Sequence, residues 1–171
     1  MEAVCDVLEE LLKQGSLSAY AIGGATAAGF HGEPLATRDI DVFVFLEASP
    51  GSLLVSLSPL FERLSQMGFR DFDEEGILIN GFPVQFLSAT PGLETEAVTE
   101  ALVIQFDTHV IRVMTPEHLA AIALKLGRPK DRARLVYLVS LPEFDRSRFG
   151  EVLSKHGLTE RWDTWASGLG L

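Results

Sequence analysis

Cysteine is almost missing from this sequence, which has one, Cys5, in 171 residues. A single cysteine excludes an intramolecular disulfide and a structural zinc site built on two thiolates. Long apolar runs are missing as well, since none approaches the roughly 20 residues of a membrane-spanning helix. Residues 1–14 are acidic and amphipathic, unlike a basic signal sequence. We therefore expect an unprocessed protein of the reducing cytoplasm, with no membrane partner.

Positive charge is scarce, because the sequence has 14 Lys and Arg against 24 Asp and Glu, which gives a formal net charge of −10. Proteins that grip duplex DNA neutralise phosphates with many clustered cations, so no duplex DNA partner is expected. Five cations nevertheless fall in one short segment: Lys125, Arg128, Lys130, Arg132 and Arg134. Such a patch suits a small anion such as a triphosphate, or an RNA end, although the solvated face of a helix gives the same pattern.

A glycine pair and an aspartate pair frame the most informative segment, residues 20–44. Gly23 and Gly24 end one strand-like run, and a short Ala-rich helix is expected to follow. Glycines at a strand-to-helix turn let backbone amides approach a phosphate, and Thr26 adds a hydroxyl donor. Taken alone, the two glycines would equally serve a tight turn or close helix packing.

Asp39 and Asp41 open the second strand-like run. Residues two apart on a strand leave the same face, with alpha carbons about 6–7 Å apart. Two carboxylates held this way can share Mg²⁺ or Mn²⁺ with substrate phosphates, as an in-line displacement requires. A solvated acidic strand end is the alternative for the Asp-x-Asp pattern by itself.

The remaining pattern predicts an α+β fold. Apolar spacing predicts helices at residues 2–13, 52–67, 116–126, 131–139 and 143–156, and strands at residues 19–22, 40–46, 102–106 and 110–113. Asn80-Gly81 between residues 77–79 and 82–84 predicts a hairpin with a type I′ turn. Thr115-Pro116 is typical of a helix start. The change from strands to helices there predicts a core of residues 1–114 and a helical C-terminal extension, residues 115–171, packed on it.

Two segments in this order resemble a known family. The first is Gly23-Gly24, a short helix, then residues 37–41 (Thr-Arg-Asp-Ile-Asp); the second is residues 113–131, with a Pro-Glu helix start before Leu-Lys-Leu-Gly-Arg-Pro-Lys-Asp. Together they resemble nucleotidyltransferases of the DNA polymerase beta type over about residues 20–138. The likeness is greatest to small bacterial members, the abortive-infection toxin nucleotidyltransferases and the minimal nucleotidyltransferases of toxin–antitoxin pairs.

The resemblance implies a mixed β-sheet with flanking helices that transfers a nucleoside monophosphate from an NTP. The acceptor would be an RNA, a protein hydroxyl or a small molecule. Asp39 and Asp41 would be catalytic and hold the Mg²⁺ or Mn²⁺. The residues implied in nucleotide binding are Gly23, Gly24, Thr26, Arg38, Lys125, Arg128 and Lys130.

Two positions depart from that family. Gln85 stands where active members carry a third carboxylate, and a neutral amide cannot act as a base for the acceptor. Leu35 replaces an arginine common in close relatives. If Asn80-Gly81 closes a two-residue turn, Glu74 becomes a diagonal neighbour of Gln85 on the same face. Glu74 is therefore the candidate for a displaced third catalytic carboxylate, unless residues 71–75 are only an exposed acidic turn.

A second function stays open beside the enzyme. A non-catalytic binding module would keep the fold and hold a partner protein, for example a cognate toxin or antitoxin. Gln85 favours that interpretation, and the intact glycine and aspartate pairs favour the enzyme. Trp162 and Trp165 fit a final helix packed on the domain better than a partner-facing patch. None of the four histidines has the sequence spacing of a zinc site.

Overall fold

The computed structural model describes residues 1–33, 37–46, 56–74 and 76–169. Within them the strands are β1 Ala19–Ile22, β2 Ile40–Phe45, β3 Phe72–Asp73, β4 Gly76–Ile79, β5 Phe82–Ser88, β6 Leu102–Phe106 and β7 His109–Val113. The helices are α1 Glu2–Lys13, α2 Gly24–Phe30, α3 Ser58–Gln66, α4 Leu93–Thr99, α5 Pro116–Leu126, α6 Pro129–Val139, α7 Arg146–Lys155 and α8 Thr159–Leu169. The expected α+β class is confirmed.

One mixed sheet carries all these strands, in the order β3-β4-β5-β2-β1-β7-β6. The central strand β2 pairs antiparallel with β1 and parallel with β5, and Asp41 stands opposite Gln85. Ile40, Val42 and Val44 of β2 are buried, and the intervening residues are only partly covered. The alternation of apolar and other residues thus turns Asp41 and Phe43 to the face opposite the aliphatic side chains.

The hairpin between β4 and β5 forms as its turn residues predict. Asn80 and Gly81 have φ of 48° and 82°, the left-handed conformation at both central positions of a type I′ turn. Ile79 then pairs with Phe82, and the register carries Gly76 to a place opposite Gln85. This pairing fixes Gln85 beside the central strand.

The buried side chains form one hydrophobic cluster. It takes in the apolar stripe of α1, the sheet and the inward faces of the helices after Thr115. Trp162 packs edge-on against Phe149 at a centroid distance of 5.0 Å, which confirms the packing role of the C-terminal aromatic residues. No helix in the described part of the chain is long and apolar enough to cross a membrane.

Most predicted element boundaries are close to those observed, with three differences. The helix predicted at residues 52–67 is described only from Ser58, and residues 52–55, like Leu35, lie outside the described residues. The last predicted helix, residues 143–156, begins later, because Asp145 caps α7 by accepting from the backbone N–H of Ser147 and Arg148. Helix α4 and strand β3 were not predicted, since seven and two residues are too short for a clear periodic signal.

Candidate active site

A cavity of about 690 Å³ lies between the sheet and helices α5 and α6. Its acidic lining residues are Asp39, Asp41, Glu94 and Asp131, and its cationic ones are Arg38, Arg128, Lys130 and Arg134. Apolar side chains line the remainder, chiefly Phe43, Leu87, Leu119, Ile122 and Leu126. Both predicted aspartates and three of the predicted cations therefore face one space.

The two aspartates are held at the start of β2. Asp41 is on the strand, and Asp39 comes just before it. The Thr37 hydroxyl donates to Asp39 Oδ1 at 2.8 Å, which orients that carboxylate. Thr26 was expected to contact phosphate, but its hydroxyl donates to the Asp39 carbonyl oxygen at 3.1 Å. Thr26 therefore positions the aspartate segment, and it does not line the cavity.

The two glycines have different tasks. Gly24 lines the cavity, has a φ of +56° and lies so close to Asp41 that a Cβ there would overlap the carboxylate Oδ2. Gly23 donates its N–H to the Asp41 carbonyl oxygen at 2.9 Å. A Cβ on Gly23 would lie 2.6 Å from the Phe43 ring. The Gly23 amide is thus not available for the expected phosphate contact, because its N–H is already hydrogen-bonded to the carbonyl oxygen of Asp41 on β2.

Asp41 carries an unfavourable negative charge. Burial makes the largest contribution to raising the pKa of Asp41, and the negative charge of the neighbouring Asp39 raises it further. The positive charges of Lys130, Arg134 and Arg128 lower this pKa, but only in part. An acidic pair of this kind provides hard oxygen ligands and an excess of negative charge, which fits a Mg²⁺ or Mn²⁺ ion. The residues present therefore suit the cofactor that the resemblance implies.

The raised pKa of Asp41 predicts a pH-dependent difference in stability between the metal-free wild type and Asp41→Asn. A carboxyl whose folded pKa exceeds its unfolded pKa destabilises the fold above the folded pKa, and this cost disappears as the pH falls through it. We expect Asp41→Asn to have the higher melting temperature at pH 7, and the gap to close in acid. Thermal unfolding from pH 7 to 4 without divalent ions measures it.

The matching control for that comparison is Asp163→Asn, which removes an exposed acid on α8. Its melting temperature should vary with pH as that of the wild type does. A difference in melting temperature between Asp41→Asn and the wild type that stays constant across the pH range would contradict the assignment of the raised pKa to Asp41.

The cations of the cavity differ in their availability. Arg128 is bound to Asp131, with Nε 2.6 Å from Oδ2 and Nη2 3.1 Å from Oδ1, and this partner raises the pKa of Arg128. Arg134 pairs with the buried Glu33. Arg38 and Lys130 make no hydrogen bond or ion pair with any other described residue. Within the described part of the chain, these two are the unpaired cations of the cavity. Lys125 lies outside the lining and approaches Glu94 at 3.9 Å.

Gln85, at the position where the resemblance implies a third carboxylate, lines the cavity opposite Asp41. Glu74 is exposed in the turn between β3 and β4 and is not among the lining residues. Glu94 does line the cavity, at the first turn of α4, with Oε2 accepting from the Thr90 N–H and hydroxyl at 2.9 and 2.7 Å. Sequence reasoning missed Glu94 because it missed α4, although Pro91-Gly92 before it is a typical break ahead of a helix.

Comparison of the fold with solved structures finds nucleotidyltransferases. The chain is similar to an antigenic nucleotidyltransferase-like protein from Paracoccidioides brasiliensis, with a TM-score of 0.58, 14% identity and coverage of 94% of this chain and 88% of that one. It is also similar to the antibiotic-resistance factor ANT(2'')-Ia, with a TM-score of 0.52, 14% identity and coverage of 99% and 97%. No protein-family model and no curated protein matches the sequence. The chain therefore has the nucleotidyltransferase fold.

Proposed function

We propose that this protein binds a Mg²⁺–NTP complex in the cavity and transfers the nucleoside monophosphate to an acceptor. The observation that carries the proposal is the cavity itself. It brings together two aspartates, the close approach of Gly24 and the available cations Arg38 and Lys130. A strand end with scattered solvated acids would not gather opposite charges around one space of this size.

Each group has a distinct task on this proposal. Asp39 and Asp41 would hold Mg²⁺, or Mn²⁺ in its place, and through the bound ion they would help to neutralise phosphate charge and to polarise the attacked phosphorus. Arg38 and Lys130 bind the remaining phosphate oxygens, and Arg128 and Arg134 add positive potential. The apolar wall around Phe43 and Ile122 excludes water from the ligand.

The transfer forms one bond and breaks one. An acceptor oxygen forms a bond to the α-phosphorus. The bond between that phosphorus and the oxygen that bridges the α- and β-phosphates breaks, and pyrophosphate leaves with the electron pair. The acceptor proton passes to a carboxylate or to water. Gln85 cannot take it, and Glu94, unlike Glu74, lines the cavity. The acceptor is an RNA, a protein or a small molecule.

The neutral Gln85 supports a second candidate function. Gln85 stands opposite Asp41, where the resemblance implies a carboxylate. Because an amide cannot accept the proton of the acceptor hydroxyl, a chain of this kind could bind a nucleotide without transferring it. Such a catalytically degenerate module would act by holding a partner protein, as one component of a toxin–antitoxin pair.

Titration calorimetry of each NTP with Mg²⁺ tests the proposal. We expect the wild type to bind at least one NTP, and Asp39→Asn with Asp41→Asn to bind it at least ~100-fold more weakly, about 2.7 kcal/mol. The matched control is Asp107→Asn with Asp163→Asn, which removes two exposed acids outside the cavity lining and should leave binding unchanged.

The outcomes separate the two functions. Binding lost in the double variant, together with transfer of label from α-labelled NTP to RNA, protein or small-molecule acceptors, supports the enzyme. Binding without transfer to any acceptor supports the binding module. If neither form binds any NTP, the cavity is not a nucleotide site and the enzyme proposal fails.

A further inference from the structure

A second group of charged side chains lies outside the cavity, between α4 and α5. Glu96 is on α4, Glu100 is the C-cap residue just after it and His118 is on α5, and we call these three residues the α4–α5 cluster. One potential ligand atom from each of them lies within 4.8 Å of the others. Glu94 lines the cavity, whereas Glu96 is two positions further and so about 200° around the helix. The cluster is therefore separate from the aspartate pair.

His118 directs a buried nitrogen into this cluster. The side chain is 0% exposed, and its Nδ1 lies 2.9 Å from the Thr115 hydroxyl oxygen. Its Nε2 has no hydrogen-bond partner and stands 3.5 Å from Glu96 Oε1. An unpartnered buried nitrogen is costly, so it points to a missing ligand. In the tautomer in which Nδ1 carries the proton and donates it to the Thr115 hydroxyl oxygen, Nε2 presents a lone pair, the arrangement common in metal-bound histidines.

The carboxylates keep oxygens available beside that lone pair. Glu96 Oε2 accepts from Lys155 Nζ at 2.6 Å and from His156 Nε2 at 2.9 Å, which leaves Oε1 facing His118. Glu100 uses Oε2 for Arg148 Nη2 at 2.6 Å. Lys155 and Arg148 have side chains that are 63% and 40% exposed, so both can turn to water when another cation neutralises the carboxylates.

We propose that the α4–α5 cluster binds one divalent transition-metal ion, with Zn²⁺ as the expected occupant. One imidazole nitrogen and two carboxylates form a ligand set for Zn²⁺ or Mn²⁺, whereas Mg²⁺ takes oxygen ligands almost alone. The ion ties α4 to the first turn of α5 and so stabilises the wall of the cavity. Sequence spacing could not indicate this site, because its ligands come from α4 with its C-cap and from α5, and β6 and β7 lie between them in the chain.

The test uses untagged, chelator-treated protein that carries Asp39→Asn and Asp41→Asn, so that the cavity aspartates contribute no binding. Competition with a chromophoric chelator measures Zn²⁺ uptake, and Co²⁺ absorption reports nitrogen and oxygen ligation. We expect one equivalent of Zn²⁺ and a melting temperature several degrees higher with excess ion. This test does not depend on nucleotide binding, so its result is independent of the proposed function.

Variants assign the ligands. His118→Gln and the milder Glu100→Gln, at a half-exposed position, should each weaken Zn²⁺ binding about tenfold or more. His109→Gln is the matched control, because His109 also lies beside two carboxylates, Glu9 at 3.0 Å and Asp6 at 3.7 Å, but outside the α4–α5 cluster and with both carboxylates more than half exposed. Uptake of no Zn²⁺ by the parent protein, or equal binding by parent and Glu100→Gln, would overturn the proposal.

Discussion

Replacing Gly24 by Ala is expected to abolish Mg²⁺–NTP binding and to destabilise the protein by at least ~2 kcal/mol. Gly24 has a φ of +56°, where an L-residue costs about 1–2 kcal/mol by itself. The added Cβ would also overlap Asp41 Oδ2, so the carboxylate would have to leave its position on the cavity wall. Calorimetric titration with Mg²⁺–NTP and chemical unfolding measure the two effects.

The same helix offers the control, Gly29→Ala. Nothing lies within 4 Å of a Cβ built at Gly29, which is the last residue but one of α2. Alanine there is expected to raise helix stability by about 0.5–1 kcal/mol and to leave ligand binding unchanged. Normal binding by Gly24→Ala would mean that the Gly24–Asp41 contact does not shape the site.

Replacing Arg134 by Met is expected to destabilise the protein by about 3–5 kcal/mol, because it leaves a buried carboxylate without its partner. Arg134 Nε donates to Glu33 Oε2 at 3.0 Å, and the two residues are only 9% and 6% exposed. The pair joins α6 to the segment after α2, 101 residues away. Denaturant unfolding gives the change in free energy, and the midpoint should fall without a change in slope.

The double variant Glu33→Leu with Arg134→Met tests the cause. Removing both charges replaces the pair by apolar groups of similar size, so we expect most of the lost stability to return. A double variant as unstable as Arg134→Met would show that packing by the arginine, and not its charge, is what matters. Single variants within about 1 kcal/mol of the wild type would remove the ion pair as a stabilising contact.

Sequence reasoning anticipated the elements that local chemistry encodes. The β2 alternation, the Asn80-Gly81 turn and the Thr115 cap each depend on neighbouring residues, so their patterns are visible in one dimension. The two aspartates were singled out for the same reason, since they stand two residues apart where a strand-like run begins. Short elements such as α4 escaped, because tertiary packing stabilises a seven-residue helix that has too few periodic positions to be recognised.

The tasks of individual site residues depended on contacts that are distant in sequence. Thr26 and Gly23 looked like phosphate ligands, but pairing with β2 directs the Thr26 hydroxyl to Asp39 and the Gly23 amide to Asp41. Glu74 looked like a third carboxylate from the hairpin register, and Glu94 lines the cavity instead. Strand register determines which residues are neighbours on a sheet. The residues that line a cavity depend also on how the helices pack against that sheet.

By itself the sequence determined the α+β class, the strand that follows the first of the two aspartates and the resemblance to nucleotidyltransferases, because periodicity, turn chemistry and short motifs are local properties. Only the tertiary structure decided which cations remain available, that Gly24 rather than Gly23 faces the cavity, and that His118 meets Glu96. Those facts depend on the packing of α4, α5 and α6 against the sheet, which brings together side chains that no spacing along the chain relates.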